Sequence, residues 1–190
     1  MQTLKKAVLI DRHNNVVDRK ITRSQRVPVN GSDFSSGYDM VVGELDSDVP
    51  SSISFAKVMP RNLTKILPPF HNVPVMDTDF EEKALVADLR LESGNMVWLT
   101  RPETSSIRNL FYEDKISGDS GNPVFLAVKN ELVLMFMFTY GGAGSGTSVT
   151  AHFGDINNIL ANWGSTYRLT EMDLTSFAET GHVNIPSIIG

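Results

Sequence analysis

The stretch Ser117-Gly118-Asp119-Ser120-Gly121-Asn122-Pro123 sets a hydroxyl between glycines, directly after a carboxylate and three residues ahead of a proline. Glycine reaches backbone angles that other residues avoid, so the chain can turn tightly enough here to aim peptide N–H groups beside the serine oxygen. Acyl transfer needs that arrangement: a nucleophilic hydroxyl, and two donors for the oxygen that gains negative charge when a carbonyl is attacked. Ser120 is then the nucleophile, and the amides of Gly118 and Ser120 form the oxyanion hole. By composition alone, Gly-Asp-Ser-Gly is also an ordinary β-turn. A serine attacks only when a base takes its proton, and the chain offers four histidines, His13, His71, His152 and His182.

The elements around the loop read as β-structure. Residues 6–11 and 16–21 flank Arg12-His13-Asn14-Asn15 as a hairpin would, and 40–45 form a buried strand. Prolines and polar residues over 60–74 indicate a connection between two halves. Residues 83–91 and 96–100 make a second hairpin about Ser93-Gly94-Asn95. After the serine loop come strands at 124–128 and 132–140, the latter apolar almost throughout, as burial on both faces requires. A glycine-rich loop at 141–146 leads to a strand at 147–153. Residues 155–163 have helical spacing, with Ile156, Ile159, Leu160 and Trp163 on one side. Short strands at regular intervals with one late helix predict an all-β barrel or sandwich.

Composition narrows the function classes. At 190 residues, 41% hydrophobic and 21% charged, the chain suits one sizeable core or a double-barrel domain with short loops. A net charge of −5 without a Lys/Arg stripe argues against a nucleic-acid partner and against polybasic membrane attachment. The apolar run 132–138 is too short to cross a bilayer, and Met1-Gln2-Thr3-Leu4-Lys5-Lys6 leads into no signal-peptide core. The absence of cysteine excludes disulfides, thiolate catalysis and thiolate zinc sites, and fits a bacterial or phage protein without fixing its location. Asn30-Gly31-Ser32 and Asn62-Leu63-Thr64 match the glycosylation sequon, which matters only for a protein secreted by a eukaryote. The glycines of 141–146 lack a phosphate-loop lysine, and Asn122 stands where a lipase elbow needs its second glycine. No metal spacing is present, and no cofactor is expected.

The serine loop resembles that of the trypsin/chymotrypsin family of serine peptidases, whose motif reads Gly-Asp-Ser-Gly-Gly-Pro or Gly-Asp-Ser-Gly-Asn-Pro before an apolar strand, here Pro123-Val124-Phe125-Leu126. Thr139-Tyr140-Gly141, nineteen residues after Ser120, is similar to the family segment that walls the primary specificity pocket and pairs with substrate backbone. Gly37-Tyr38-Asp39-Met40-Val41-Val42 looks like the strand opened by the catalytic aspartate, which makes Asp39 the residue that orients the base. Asp114, six residues before Ser120, falls where the family sets the base of the specificity pocket and would select Lys or Arg, although Glu113-Asp114-Lys115 reads first as a solvated charge cluster. The resemblance covers residues 5–163, most strongly 116–141. It implies a chymotrypsin-like double six-stranded β-barrel with a short C-terminal helix. Residues 1–58 are then the remainder of the N-terminal barrel, 59–80 the inter-barrel connection, 81–163 the C-terminal barrel and helix, and 164–190 a tail. The substrate is a peptide or protein.

The family order is His, Asp, Ser. His71, His152 and His182 follow Asp39, and the last two read as structural. His13 has the right order, 26 residues ahead of Asp39, but lies at a hairpin tip rather than after an apolar strand. The first barrel is therefore expected to be incomplete within this chain, with the histidine strands upstream of Met1 or the barrel completed by another chain. An inactive relative retained as a peptidase-like binding or structural module is the alternative. An incomplete barrel would expose strand edges and apolar faces.

Overall fold

The structure, a computed structural model, describes residues 5–27, 39–61, 73–79, 81, 83–91, 95–128 and 130–173. β1 (Lys6–Ile10) and β2 (Val16–Val27) form the expected hairpin, with Ile10 opposite Val16. The buried carboxylate of Asp11 closes its turn: Oδ1 accepts from the His13 and Asn15 amides at 2.8 Å each, while Asn14 takes φ 62°. β3 (Met40–Leu45) returns antiparallel to β2, with Met40 opposite Val27. β4 (Lys57–Val58) is a two-residue strand.

Six strands then build a closed barrel: β5 (Val73–Thr78), β6 (Ala84–Leu91), β7 (Met96–Thr100), β8 (Pro123–Val128), β9 (Glu131–Tyr140) and β10 (Ser145–Ser148). Their spatial order is β10-β7-β6-β5-β8-β9, and pairing of β9 with β10 completes the ring. Closure removes free edges. Val75, Leu89, Val97, Val124, Val133 and Phe136 fill the main core. The continuous apolarity of β9 has two causes. Val133 packs into that core, whereas Leu134 packs against a second cluster outside the barrel. β4 extends the sheet in parallel beside β9.

The second cluster ties the three-stranded sheet to the barrel. Val27 and Met40 meet Val58, Val149 and the Ile156 and Ile159 side chains of α1 (Phe153–Asn162). Arg23 adds a cap by donating to the Trp163 carbonyl at 2.8 Å and lying 4.7 Å over the indole. Between β7 and β8, a 3-10 turn at Ile107–Phe111 is clamped to β6 by the two-pronged bond of Arg108 to Asp88, at 3.0 and 2.9 Å.

The all-β expectation is therefore met by one closed six-stranded barrel with a short C-terminal helix, beside a sheet of three described strands. Details differ from the sequence reading. The barrel takes its first strand from 73–78, within the stretch assigned to a connection, because Val73, Val75 and Asp77 alternate inward despite Pro74. The strand expected at 147–153 is β10, which starts at Ser145 and ends at Ser148; the helix starts at Phe153. The start of the supposed tail is packed: Met172 is buried in the main core and its amide donates to the Val58 carbonyl at 2.8 Å.

β10 fits against β9 because residue 146 has no side chain. A Cβ there would overlap the Met137 carbonyl oxygen and lie 2.6 Å from Phe136 Cδ2. Backbone cannot yield without breaking the ladder, so Gly146→Ala is expected to cost about 3 kcal/mol or more, or to prevent folding. Urea titration checks this; a midpoint equal to that of the parent protein would show that the barrel closes otherwise.

Candidate functional site

The loop from Lys115 to Asn122 joins the 3-10 turn to β8, and its backbone is held at nearly every second residue. Lys115 N–H donates to the Gly142 carbonyl at 2.8 Å, Gly121 N–H to Phe138 at 2.9 Å, and Asn122 N–H to Asp119 at 3.0 Å. Phe138 N–H donates back to the Asn122 carbonyl at 2.9 Å. The Asp119 side chain turns inward, only 1% exposed, and its Oδ2 accepts from the Ile116 amide at 2.8 Å. Gly118 and Gly121 take φ 116° and 95°, angles that a side chain would strain. Ser120 is left exposed at the crest. Among the described residues, the N–H groups of Gly118 and Ser120 take part in none of the backbone bonds that fix the loop.

Asp39 reaches the same level of the barrel from the other sheet. Its amide donates to Thr147 Oγ1 at 3.1 Å, and Thr147 lies opposite Met137 on β9. Pro123, at the foot of the serine loop, lies opposite Met137 on the other side of β9. Thr147 and Pro123, on either side of Met137, are thus two strand spacings apart, about 10 Å. Thr139, Tyr140 and Gly141 follow directly on the Phe138 that clasps the loop, with Tyr140 exposed and open space beside Gly141. Asp114 is exposed, and its Oδ1 accepts from the Tyr112 hydroxyl at 2.5 Å.

The described histidines stand elsewhere. His13 is at the β1–β2 turn, whereas Asp39 adjoins the opposite end of the 12-residue β2, so the two are roughly 35 Å apart. His152 is buried before α1, its Nδ1 3.0 Å from Asp155 Oδ2. Val149, three residues earlier, already bonds Met135, roughly 10 Å along β9 from Phe138. His71 and His182 lie outside the described residues.

Four residues at the site were not singled out from the sequence: Lys115, Asp77, Asn122 and Thr147. Lys115 belongs to the apparent charge cluster, yet only Glu113 and Asp114 face solvent, and the Lys115 side chain is buried against Asp77. The inward register of Asp77 after Val73 and Val75 is the signal that could have revealed it. Burial pushes the Asp77 carboxyl above the ordinary aspartate range; Lys115 opposes that shift and the charge of Asp119 adds to it.

No protein-family model matches the chain, and no curated protein sequence matches it.

Asp77 binds its proton more tightly in the fold than in an unfolded chain. Its contribution to stability is therefore fullest below the ordinary aspartate range and is lost as pH rises through the raised folded value. Asp77→Asn is expected to remove that decline. Denaturant titrations at stepped pH, compared as a difference from the parent protein, isolate it from Asp11, Glu44 and Glu171, whose carboxyls are held low and which act with the opposite sign. A difference independent of pH would refute the assignment.

Proposed function

We propose that the chain is a serine endopeptidase of the trypsin/chymotrypsin kind, acting through an acyl-enzyme at Ser120. The observation that carries this reading is an exposed serine on a pinned loop whose Gly118 and Ser120 N–H groups are left out of the loop's own bonding. In the proposed reaction Ser120 Oγ adds to a peptide carbonyl, and the oxygen charge falls on those two N–H groups. The departing amine receives the proton that the base took from Ser120, and water then releases the acyl group. Asp39 orients the base across the gap beside Thr147. The Thr139–Gly141 backbone is the edge for an extended peptide, and Asp114 is open to a basic side chain. The double-barrel form belongs to the same proposal, with residues 5–58 contributing part of the first barrel.

The base is the element that the described residues do not bring to Ser120. Among them, β1 pairs with β2 alone, and Val8, Ile10 and Val16 of this hairpin are exposed. That open edge and apolar face favour completion by an upstream segment or a second chain, which would carry a histidine to the gap. The same observations fit a non-catalytic peptidase-like module, so the two readings are separated by chemistry at Ser120.

A fluorophosphonate probe provides that separation, with added imidazole to supply the base that the described residues do not bring to Ser120. Labelling that imidazole accelerates and that Ser120→Ala abolishes is the expected result. Labelling that survives in Ser120→Ala would sink the assignment of the nucleophile. No labelling with or without imidazole would favour the binding module.

A further inference from the structure

We infer that Lys115 and Asp77 are positioning residues for the Ser120 loop, fixing it to the end of β5 from inside the barrel. The inference rests on the proposed role of Ser120 for its functional meaning, but its geometry is independent of that role. The Lys115 and Asp77 side chains are 3% and 1% exposed and form an ion pair. Lys115 Nζ also donates to the Thr78 carbonyl at 3.2 Å and lies 5.7 Å from the Phe138 ring centroid. Asn122 Nδ2 donates to the same Thr78 carbonyl at 2.8 Å. One carbonyl of β5 therefore holds the loop five residues before Ser120 and again two residues after it.

The arrangement is poorly explained by stability alone. Burying an ammonium and a carboxylate costs about as much as their attraction returns, and apolar residues of similar volume often replace such a pair without loss. Asp77 Oδ2 meets no donor besides Lys115 among the described residues, so each partner needs the other. Directional contacts supply what apolar packing lacks, a fixed place for the loop. That matters here because two residues in left-handed or related angles and an inward Asp119 must be held together beneath an exposed serine. Asp119 adds a second buried carboxylate that acts on Asp77, so the Lys115 ammonium stands among buried acidic groups in the loop's interior.

Residue-resolved amide hydrogen exchange tests this without requiring activity. The Gly121 and Asn122 amides report the loop, and those of β6 and β7 report the barrel. Lys115→Met is expected to speed exchange at Gly121 and Asn122 by about tenfold more than in the barrel, with Lys115→Arg restoring part of the protection. If Lys115→Met does not fold, the apolar pair Lys115→Met/Asp77→Leu serves instead, expected to retain barrel protection while the loop amides exchange faster. A common factor for loop and barrel, or no change in either, would overturn the positioning role. Where the parent protein labels with fluorophosphonate, the loosened variant should label more slowly at equal barrel protection. Absence of labelling in the parent would count against the peptidase reading and leave the exchange result to decide the positioning role.

Discussion

The contact on which the site depends is the side-chain-free approach of β10 to β9 at Gly146. β10 is only four residues long, and it must pair with β7 on one side and β9 on the other to close the ring. With the Met137 carbonyl where a Cβ would stand, glycine is the residue that lets it do so. The consequence reaches beyond closure. Thr147, the next residue, receives the Asp39 amide, while Met137 and Phe138 lead on β9 to the foot and the clasp of the serine loop. The Asp39 amide and the serine loop are therefore both bonded to the β9–β10 strand pair.

The charges divide into two groups with different work. Lys6–Asp18, Lys57–Glu131 and Arg61–Glu171 lie in or near solvent and contribute little, because water screens them and long side chains lose freedom in forming them. Asp88 and Asp77 are buried, and each is met by a cation from the segment between β7 and β8. Arg108 fixes the 3-10 turn to β6, and Lys115 fixes the serine loop to β5. A long connection without regular strands thus gains two anchor points on the barrel. Its exposed apolar residues and its glycines can then hold one conformation without a core of their own.

The hairpins, the strands beside the serine motif and the amphipathic helix were legible because period-two alternation, turn residues and helical spacing are local signals. Asp39 and Ser120 stand out by resemblance to the family motifs; in the fold the Asp39 amide bonds Thr147 on β10, and Ser120 lies exposed on the loop before β8. β5 was obscured by Pro74 and by reading the proline-bearing segment as a linker, although inward Val73, Val75 and Asp77 mark a strand. β10 was misplaced because its glycine and serines look like loop; its burial comes from two neighbouring strands. Lys115 was read as solvated because its chain neighbours are, while its burial depends on Asp77, 38 residues earlier. Such pairings arise only when distant strands meet, so no local pattern announces them.

Mounting a nucleophile and activating it are separate physical tasks, and under the proposed reading they fall to separate parts of the chain. The barrel holds the loop through bonds from Phe138, Gly142 and Thr78, and none of these requires the three-stranded sheet. Under the proposed reading activation needs a base between Asp39 and the loop, and Asp39 directly precedes β3 of the three-stranded sheet. The sheet is aligned with the barrel by apolar packing of Val27 and Met40 on Val149 and α1. Apolar packing is tolerant of small shifts where hydrogen bonds are not. Besides that packing, the sheet is tied to the rest of the fold by the Asp39 amide on Thr147 Oγ1 and by Arg23 on the Trp163 carbonyl. If the proposed base is carried by a segment that joins the sheet at its β1 edge, that segment would also bear on the packing that places Asp39.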